Sequence, residues 1–179
     1  AQPRAVSKLF PLTRLGGNRL SLGPMEVESA ALARNLLGCE EVILFAATLG
    51  LEVDRLIARA SAGRVSQAAI YQAAGAALIE EYCDQVNDAL RQEAEAAGWY
   101  LRPRFSPGYG DFPIAHQQAV AQLLRTAEEL GLTVSESMLL LPTKSVTAVI
   151  GRSRQPTPCH RQGCEVCGKK DCVFRRDIL

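Results

Sequence analysis

The run Glu41-Val-Ile-Leu-Phe-Ala-Ala-Thr-Leu-Gly50 predicts a buried strand that turns into a helix. It begins with β-branched and aromatic residues, which are typical of strands, and it ends at a glycine, which permits the turn. Its apolar part, Val42 to Leu49, is far shorter than the roughly 20 residues that a membrane-spanning helix needs. We therefore expect this run to enter the core of a globular domain.

Two helices are predicted after this strand. Residues 51–62 have a short amphipathic pattern that ends at Gly63. Residues 67–96 contain no proline and one glycine, and their apolar side chains fall on one helical stripe. That stripe comprises Ile79, Tyr82, Val86 and Leu90. The second helix is therefore predicted to be the longest element of the fold.

A second stripe on the long helix carries mostly small side chains. It comprises Ala69, Ala73, Ala76, Glu80 and Cys83, which lie about one helical turn apart. Small side chains allow another element or a ligand to approach closely, and Glu80 places a carboxylate among them. Either Glu80 contacts a ligand, or it is an ordinary solvated helix glutamate.

The remaining elements complete a mixed fold. Periodicity and turn residues predict an extended arm or edge strand at residues 1–22, helices at 24–37 and 114–130, and strands at 99–105, 134–141 and 145–150. An ordered loop is expected at residues 106–113, where two glycines and two prolines restrict the backbone. The predicted fold class is therefore α+β with one modest sheet.

Length and composition indicate one principal domain. The chain has 179 residues, with 20 Lys and Arg against 19 Asp and Glu, and 47% of its residues are hydrophobic. These values are ordinary for a soluble globular protein and give no reason to expect nucleic-acid or membrane binding. Because no export signal is recognisable at the N-terminus, we expect a cytoplasmic location.

The chain changes character after Gly151. We expect residues 1–151 to form the main domain and residues 152–179 to form a small Cys-rich basic tail. The tail contains Cys159, Cys164, Cys167 and Cys172, whose spacing would suit Zn²⁺ or an iron–sulfur cluster, although neither standard ferredoxin spacing is matched. Reactive or disulfide-forming thiols and inert cysteines are the alternatives. The basic residues around them either meet an acidic partner surface or are solvated.

The segment from Arg102 to Asp111 is the most informative part of the chain for function. An arginine at the end of a strand, followed by a loop rich in proline and glycine, can present a fixed guanidinium and backbone polar groups to a small zwitterion. The amino acid end of S-adenosylmethionine is such a group. The alternative is a surface turn with an incidental arginine.

Three stretches resemble one known family. Arg104-Phe-Ser-Pro-Gly-Tyr109 has the Arg-x-x-x-Gly-Tyr pattern of the S-adenosylmethionine-binding activation domain of cobalamin-dependent methionine synthase. Residues 132–142, followed by Ser145-Val146, are similar to a later segment of that domain, and Leu78-Ile-Glu80 is similar to its glutamate-bearing helix. The resemblance is good over residues 65–150 and looser over 24–64. It implies a twisted antiparallel sheet with packed helices.

The resemblance also implies roles for individual residues. Arg104 would pair with the carboxylate of S-adenosylmethionine, and Glu80 would hold its amino group or a bound water. The backbone near Phe105 and Pro107, in the loop that contains Gly108, would contact other polar atoms of the ligand, and Tyr109 would lie near the corrin face. One departure is that a further aromatic position of the family is replaced here by Pro156-Thr-Pro-Cys.

The function implied is accessory. The chain would bind S-adenosylmethionine and help a separate corrinoid-binding methyltransferase protein, of the methionine synthase type, to return from cob(II)alamin to its methylated state. The cobalamin would be presented by that partner, and the electron would come from a donor protein or through a cluster in the tail. Positioning is the main requirement, since no general acid or base is needed.

Two other functions fit the same sequence. The chain could be a non-catalytic interaction module whose tail binds zinc, or a small iron–sulfur electron carrier that uses the α+β domain for docking. Ligand binding that depends on Arg104 would distinguish the accessory function from both.

Overall fold

A computed structural model describes residues 1–156 of the chain. This part contains eight strands and five helices. The strands are β1 (Arg4–Gly16), β2 (Arg19–Leu22), β3 (Met25–Glu28), β4 (Glu41–Thr48), β5 (Tyr100–Leu101), β6 (Thr133–Val134), β7 (Leu140–Leu141) and β8 (Ser145–Ser153), and the helices are α1 (Ala30–Asn35), α2 (Leu51–Ser61), α3 (Val65–Ala96), α4 (His116–Leu124) and α5 (Thr126–Leu130).

Six strands form one antiparallel sheet in the order β3-β2-β1-β4-β8-β5, and β6 pairs with β7 separately. Strand β4 lies inside the sheet, paired with β1 along one side and with β8 along the other. Every residue from Val42 to Thr48 is buried. A strand covered on both faces must be apolar along its whole length, which explains the uninterrupted hydrophobic run and confirms the strand predicted there.

The side chains of β4 divide the interior into two cores. Val42, Leu44 and Ala46 face one core, which includes apolar side chains from α1, α4 and α5 and from strands β2 and β3. Ile43, Phe45 and Ala47 face the other, which α2 and α3 cover. Because consecutive side chains of a strand point to opposite faces, one sequence run supplies both layers. The long helix α3 therefore lies on the opposite side of the sheet from α1.

The N-terminal predictions need two corrections. Residues 1–22 are not an arm or an edge strand, because β1 pairs with β2 on one side and β4 on the other. The helix expected at 24–37 begins only at Ala30, and Met25–Glu28 is the edge strand β3. Within β3, buried and exposed residues alternate, which is the period of a strand. Ser29 then starts α1 by accepting a hydrogen bond from the Leu32 amide.

The later predictions were right in type but wrong in length. The helix expected at 114–130 is divided into α4 and α5 at Arg125, which adopts a left-handed conformation. The strand expected at 134–141 is two short strands joined by a turn. The strand expected at 99–105 ends at Leu101, and pairing resumes only in a single bridge between Phe105 and Val149.

The C-terminal side of the described chain reaches past the predicted domain boundary. Strand β8 continues to Ser153, and the guanidinium groups of Arg152 and Arg154 lie 4.4 and 3.7 Å from the centre of the Trp99 ring. The four tail cysteines, Cys159, Cys164, Cys167 and Cys172, lie outside the described residues. Over residues 1–156, no helix has the length and hydrophobicity to cross a membrane.

Candidate functional site

The two ends of the segment from Arg102 to Asp111 are attached to the two ends of helix α1. At the C-terminal end of this helix, Arg102 donates a hydrogen bond of 2.9 Å from Nη2 to the Leu37 carbonyl. At its N-terminal end, Asp111 accepts hydrogen bonds from the Ala30 and Ala31 amides at 2.7 and 2.9 Å. A cation at the C-terminus and an anion at the N-terminus both complement the helix dipole. The segment therefore runs along α1 with its ends fixed.

Asp111 is held in its ionised form by these contacts. Its pKa is lowered first by the hydrogen bond from the Ser29 hydroxyl and then by those from the backbone amides. Ser29 is buried and also caps α1, so one carboxylate connects the loop to the capping residue of the helix. Each of these hydrogen bonds stabilises the charged carboxylate over the neutral acid.

Between its fixed ends the segment forms the compact turn that its composition predicted. The Gly108 amide donates to the Phe112 carbonyl at 2.8 Å, and the Tyr109 amide donates to the Ser106 carbonyl at 3.1 Å. Gly110 has a positive φ of 54° and lies so close to α1 that an added Cβ would come within 2.9 Å of the Ala31 methyl group. Glycine is required there for both reasons.

Arg104 leaves this segment on the side of the sheet that α3 covers. Its Nη1 donates to Asp84 Oδ1 at 2.9 Å and its Nη2 contacts Glu80 Oε2 at 3.3 Å. The Arg104 side chain is 18% exposed, whereas those of Asp84 and Glu80 are 36% and 64% exposed. One partly buried guanidinium is therefore shared by two more accessible carboxylates. We call these three residues the Arg104 cluster.

The register of α3 accounts for both carboxylates. Glu80 and Asp84 are four residues apart, which places them one above the other on a helix. Each directly follows a buried residue, Ile79 or Cys83. Burial raises the pKa of the Cys83 thiol to about 12, so at neutral pH this thiol is uncharged. The Arg104 cluster contains one arginine and two carboxylates, which gives it a formal net charge of −1.

Most of the small-residue stripe of α3 is exposed. Ala69, Ala73 and Ala76 are all exposed, and they lie about three, two and one helical turns before Glu80. The stripe is not continued to Cys83, which is buried against the sheet. A ligand that contacted Glu80 could therefore approach along the N-terminal half of α3.

Aromatic residues follow Arg104 in the chain, and Phe105 and Phe112 among them pack in the core on the α1 side of the sheet. The ring of Phe105 makes an edge-to-face contact with Tyr109, at 6.0 Å between centroids, and stacks near buried Phe112 at 6.3 Å. Tyr109 is 50% exposed. His116 lies 5.5 Å from Phe112, and its pKa is lowered by burial. Tyr109 thus presents an aromatic surface to solvent from a fixed loop.

The backbone around Phe105 is already partly paired. Its amide donates to the Val149 carbonyl and its carbonyl accepts from the Val149 amide, both at 2.9 Å. Pro107 is buried, whereas Gly108 is exposed. A ligand would therefore meet the exposed backbone at Gly108 more readily than the paired backbone at Phe105.

The structure brings the predicted pair Glu80 and Arg104 together. Phe105 and Gly110 instead pack on the α1 side of the sheet, Phe105 against the core there and Gly110 against Ala31. No role was predicted for Asp84, although its spacing of four from Glu80 was the available signal. Arg102 was predicted to belong to the functional segment, whereas its side chain is buried and holds α1. The ligand contacts assigned to Glu80, Arg104, Phe105, Pro107, Gly108 and Tyr109 stay predictions.

Two cavities lie away from this cluster. One of about 340 Å³ is bordered by α4, α5 and β6, and another of about 150 Å³ lies between the N-terminus and α3. Neither is lined by Arg104, Glu80 or Asp84. Within residues 1–156, His, Cys, Asp and Glu side chains form no group of three that could hold a metal ion.

Comparison with solved structures supports the fold, whereas comparison by sequence gives no match. No protein-family model and no curated protein matches the chain. A solved structure described as the MetH reactivation domain bound to AdoHcy is similar, with a TM-score of 0.66, 20% sequence identity and 83% of this chain covered. The chain spans 58% of the length of that neighbour. The predicted α+β fold, an antiparallel sheet with packed helices, is therefore confirmed.

Proposed function

We propose that this chain binds S-adenosylmethionine at the Arg104 cluster and serves the reactivation of a separate corrinoid methyltransferase. The observation that carries the proposal is the Arg104 cluster itself, whose arginine comes from a segment with both ends fixed on α1. The similar solved structure has AdoHcy bound, which is the same molecule without the transferred methyl group. Both the fold and the local charges therefore support one class of ligand.

The charges of the cluster suit the amino acid end of this ligand. S-adenosylmethionine carries a carboxylate, an ammonium and a sulfonium, which gives a net charge of +1. Arg104 is the cation for the ligand carboxylate, and Glu80 is an exposed carboxylate for the ammonium. Charge-assisted pairs of this kind are about twice as strong as neutral hydrogen bonds. The net charge of −1 on the cluster also favours a cationic ligand.

The chain's contribution to reactivation is positioning. When bound, S-adenosylmethionine supplies an electrophilic methyl group, and the substrate is the cob(II)alamin carried by the partner, which must gain one electron before it can accept that group. The ends of the loop are fixed on α1, which holds Arg104 and Tyr109 in place before any ligand arrives. The half-exposed ring of Tyr109 is the part of this loop that would face a flat corrin surface. Holding the reactants in the correct relative position in this way lowers the entropic contribution to the activation barrier of methyl transfer.

The partners and metals remain proposals. A corrinoid-binding methyltransferase protein and an electron donor are required by the reaction, since reduction of cob(II)alamin needs one electron. A zinc ion or an iron–sulfur cluster at the tail cysteines is likewise a prediction, because these residues lie outside the described part of the chain. The zinc module and the electron carrier are the functions left if no ligand binds.

Isothermal titration calorimetry of the full chain with AdoHcy and S-adenosylmethionine tests the proposal. Arg104→Ala should weaken binding about 10- to 100-fold, because a hydrogen bond to a charged group contributes about 1.5 to 3 kcal/mol. Arg19→Ala is the matched control, since Arg19 also pairs with a glutamate, Glu26 at 3.1 Å, but on an exposed hairpin. It should bind like the unmodified chain.

Two outcomes would contradict the proposal. Unmodified protein that shows no saturable binding would remove the ligand, and Arg104→Ala protein that binds normally would remove the site. The reactivation step is then examined with a cob(II)alamin-loaded methyltransferase and a reductant, by following methylcobalamin absorbance. Formation should depend on both S-adenosylmethionine and the added chain, and it should fall in Arg104→Ala.

A further inference from the structure

The two carboxylates of the Arg104 cluster are not equivalent. Asp84 contacts Nη1 at the shorter distance of 2.9 Å, and its side chain is the less exposed of the two. Glu80 contacts Nη2 at 3.3 Å, is mostly exposed, and has one more rotatable bond in its side chain. A carboxylate arriving from solvent therefore displaces Glu80 from Nη2 at lower cost than Asp84 from Nη1.

When a ligand carboxylate takes the place of Glu80 at Arg104 Nη2, the Glu80 side chain loses its contact with that guanidinium. The displaced carboxylate lies beside the incoming ligand, where it can pair with an ammonium group. A ligand with both charges replaces one ion pair, Arg104 with Glu80, by two. A ligand with a carboxylate alone replaces one pair by one and leaves Glu80 without its partner. The arrangement therefore discriminates between ligands by their amino group.

We propose that Asp84 is the positioning residue of this site and that Glu80 is its exchangeable residue. This inference rests on the proposed function, since it assumes that the ligand of the Arg104 cluster is the amino acid end of an S-adenosyl compound. Asp84 holds the guanidinium through Nη1 with and without ligand. Glu80 occupies Nη2 only until the ligand carboxylate arrives, and it then pairs with the ligand ammonium.

The neighbouring groups are consistent with these two roles. Cys83 lies between the two carboxylates in sequence but stays uncharged, so it does not compete for Arg104. Glu81 points elsewhere and accepts a hydrogen bond from the Gln85 side chain at 3.0 Å. The exchange is therefore confined to Glu80.

Calorimetric titrations with two ligands test the inference: AdoHcy, and an AdoHcy analogue that lacks the α-amino group. AdoHcy is chosen because it has no sulfonium charge, so affinity changes report on the amino acid end alone. Glu80→Gln should weaken AdoHcy binding about tenfold and leave the analogue unchanged or bound more tightly. Asp84→Asn, which keeps an oxygen acceptor but removes the charge, should weaken both ligands about tenfold. Glu81→Gln is the control and should change neither.

The outcomes separate this inference from the proposed function. If the unmodified chain does not bind AdoHcy, the proposed function fails and the inference fails with it. If it binds AdoHcy but Glu80→Gln weakens both ligands equally, Glu80 is only structural and the exchange is overturned. If Asp84→Asn binds both ligands normally, Asp84 is not a positioning residue. Thermal unfolding of each variant shows that a loss of binding does not come from a loss of folding.

Discussion

The ends and the middle of the segment from Arg102 to Asp111 are built differently. Its ends are fixed on helix α1, with Arg102 only 7% exposed and Asp111 bonded to the start of the helix. Its middle carries the partly exposed Arg104 and the half-exposed Tyr109. The difference shows how a loop with fixed ends can hold charged and aromatic groups in a fixed arrangement without burying them completely. The ends contact α1, and the middle carries the residues at which we propose that a ligand binds.

Arg102 and Arg104 illustrate the contrast most directly, since they are two residues apart. In a regular strand, side chains two residues apart point to the same face. Here strand β5 ends at Leu101, the Arg102 amide still donates to the Gly151 carbonyl of β8 at 2.8 Å, and the next bonds to β8 are at Phe105. The irregular backbone between them allows Arg102 to reach α1 and Arg104 to reach α3. The break in the strand therefore divides a structural arginine from a candidate binding one.

The largest expected effect is at the fixed end. Arg102→Ala should lower the free energy of unfolding by about 3 kcal/mol, because it removes a buried side chain and leaves the Leu37 carbonyl without this donor. Urea unfolding measures the change. Arg55→Ala is the control, since Arg55 pairs with Glu52 on the surface, and it should stay within about 0.5 kcal/mol. If the Arg102→Ala protein is as stable as the control, the ends of the segment do not stabilise the fold more than its middle does.

The sequence predicted the elements with long, uniform patterns and missed those decided by tertiary contacts. The apolar run of β4 and the uninterrupted helix α3 each have one dominant period, so both were predicted correctly. Residues 25–28 share apolar positions with a helical pattern, and only pairing with β2 makes them a strand. Likewise, nothing local in the sequence separates Arg102 from Arg104. Which of them meets a carbonyl and which meets two carboxylates depends on α1 and α3, which are distant in sequence.

A smaller effect is expected at the other fixed end. Asp111→Ala should lower the free energy of unfolding by about 1 kcal/mol at pH 7, since it removes a carboxylate that caps α1. The pKa of Asp111 is depressed in the folded protein, below an ordinary value of 3.8. Its stabilisation is therefore complete above the unfolded pKa and is lost as the pH falls through the folded pKa.

Urea unfolding of both proteins at pH 7 and in acid tests this dependence. The difference between Asp111→Ala and the unmodified chain should shrink as the pH is lowered below about 4. Ser29→Ala, alone and combined with Asp111→Ala, shows how much of the effect passes through the Ser29 hydroxyl. A difference that is independent of pH would mean that Asp111 acts through packing and not through its charge.

The smallest effect on stability is expected in the middle of the segment. Arg104→Ala leaves Glu80 and Asp84 as like charges one turn apart, which costs a few tenths of a kcal/mol on a helix. Both carboxylates reach solvent, so water replaces the guanidinium at little cost. The free energy of unfolding should therefore change by less than about 0.5 kcal/mol, although ligand binding weakens about 10- to 100-fold. Urea unfolding of Arg104→Ala beside Arg102→Ala decides the matter. Equal losses of stability would make Arg104 a structural residue, whereas a stable protein with weakened AdoHcy binding would place function in the middle of the segment.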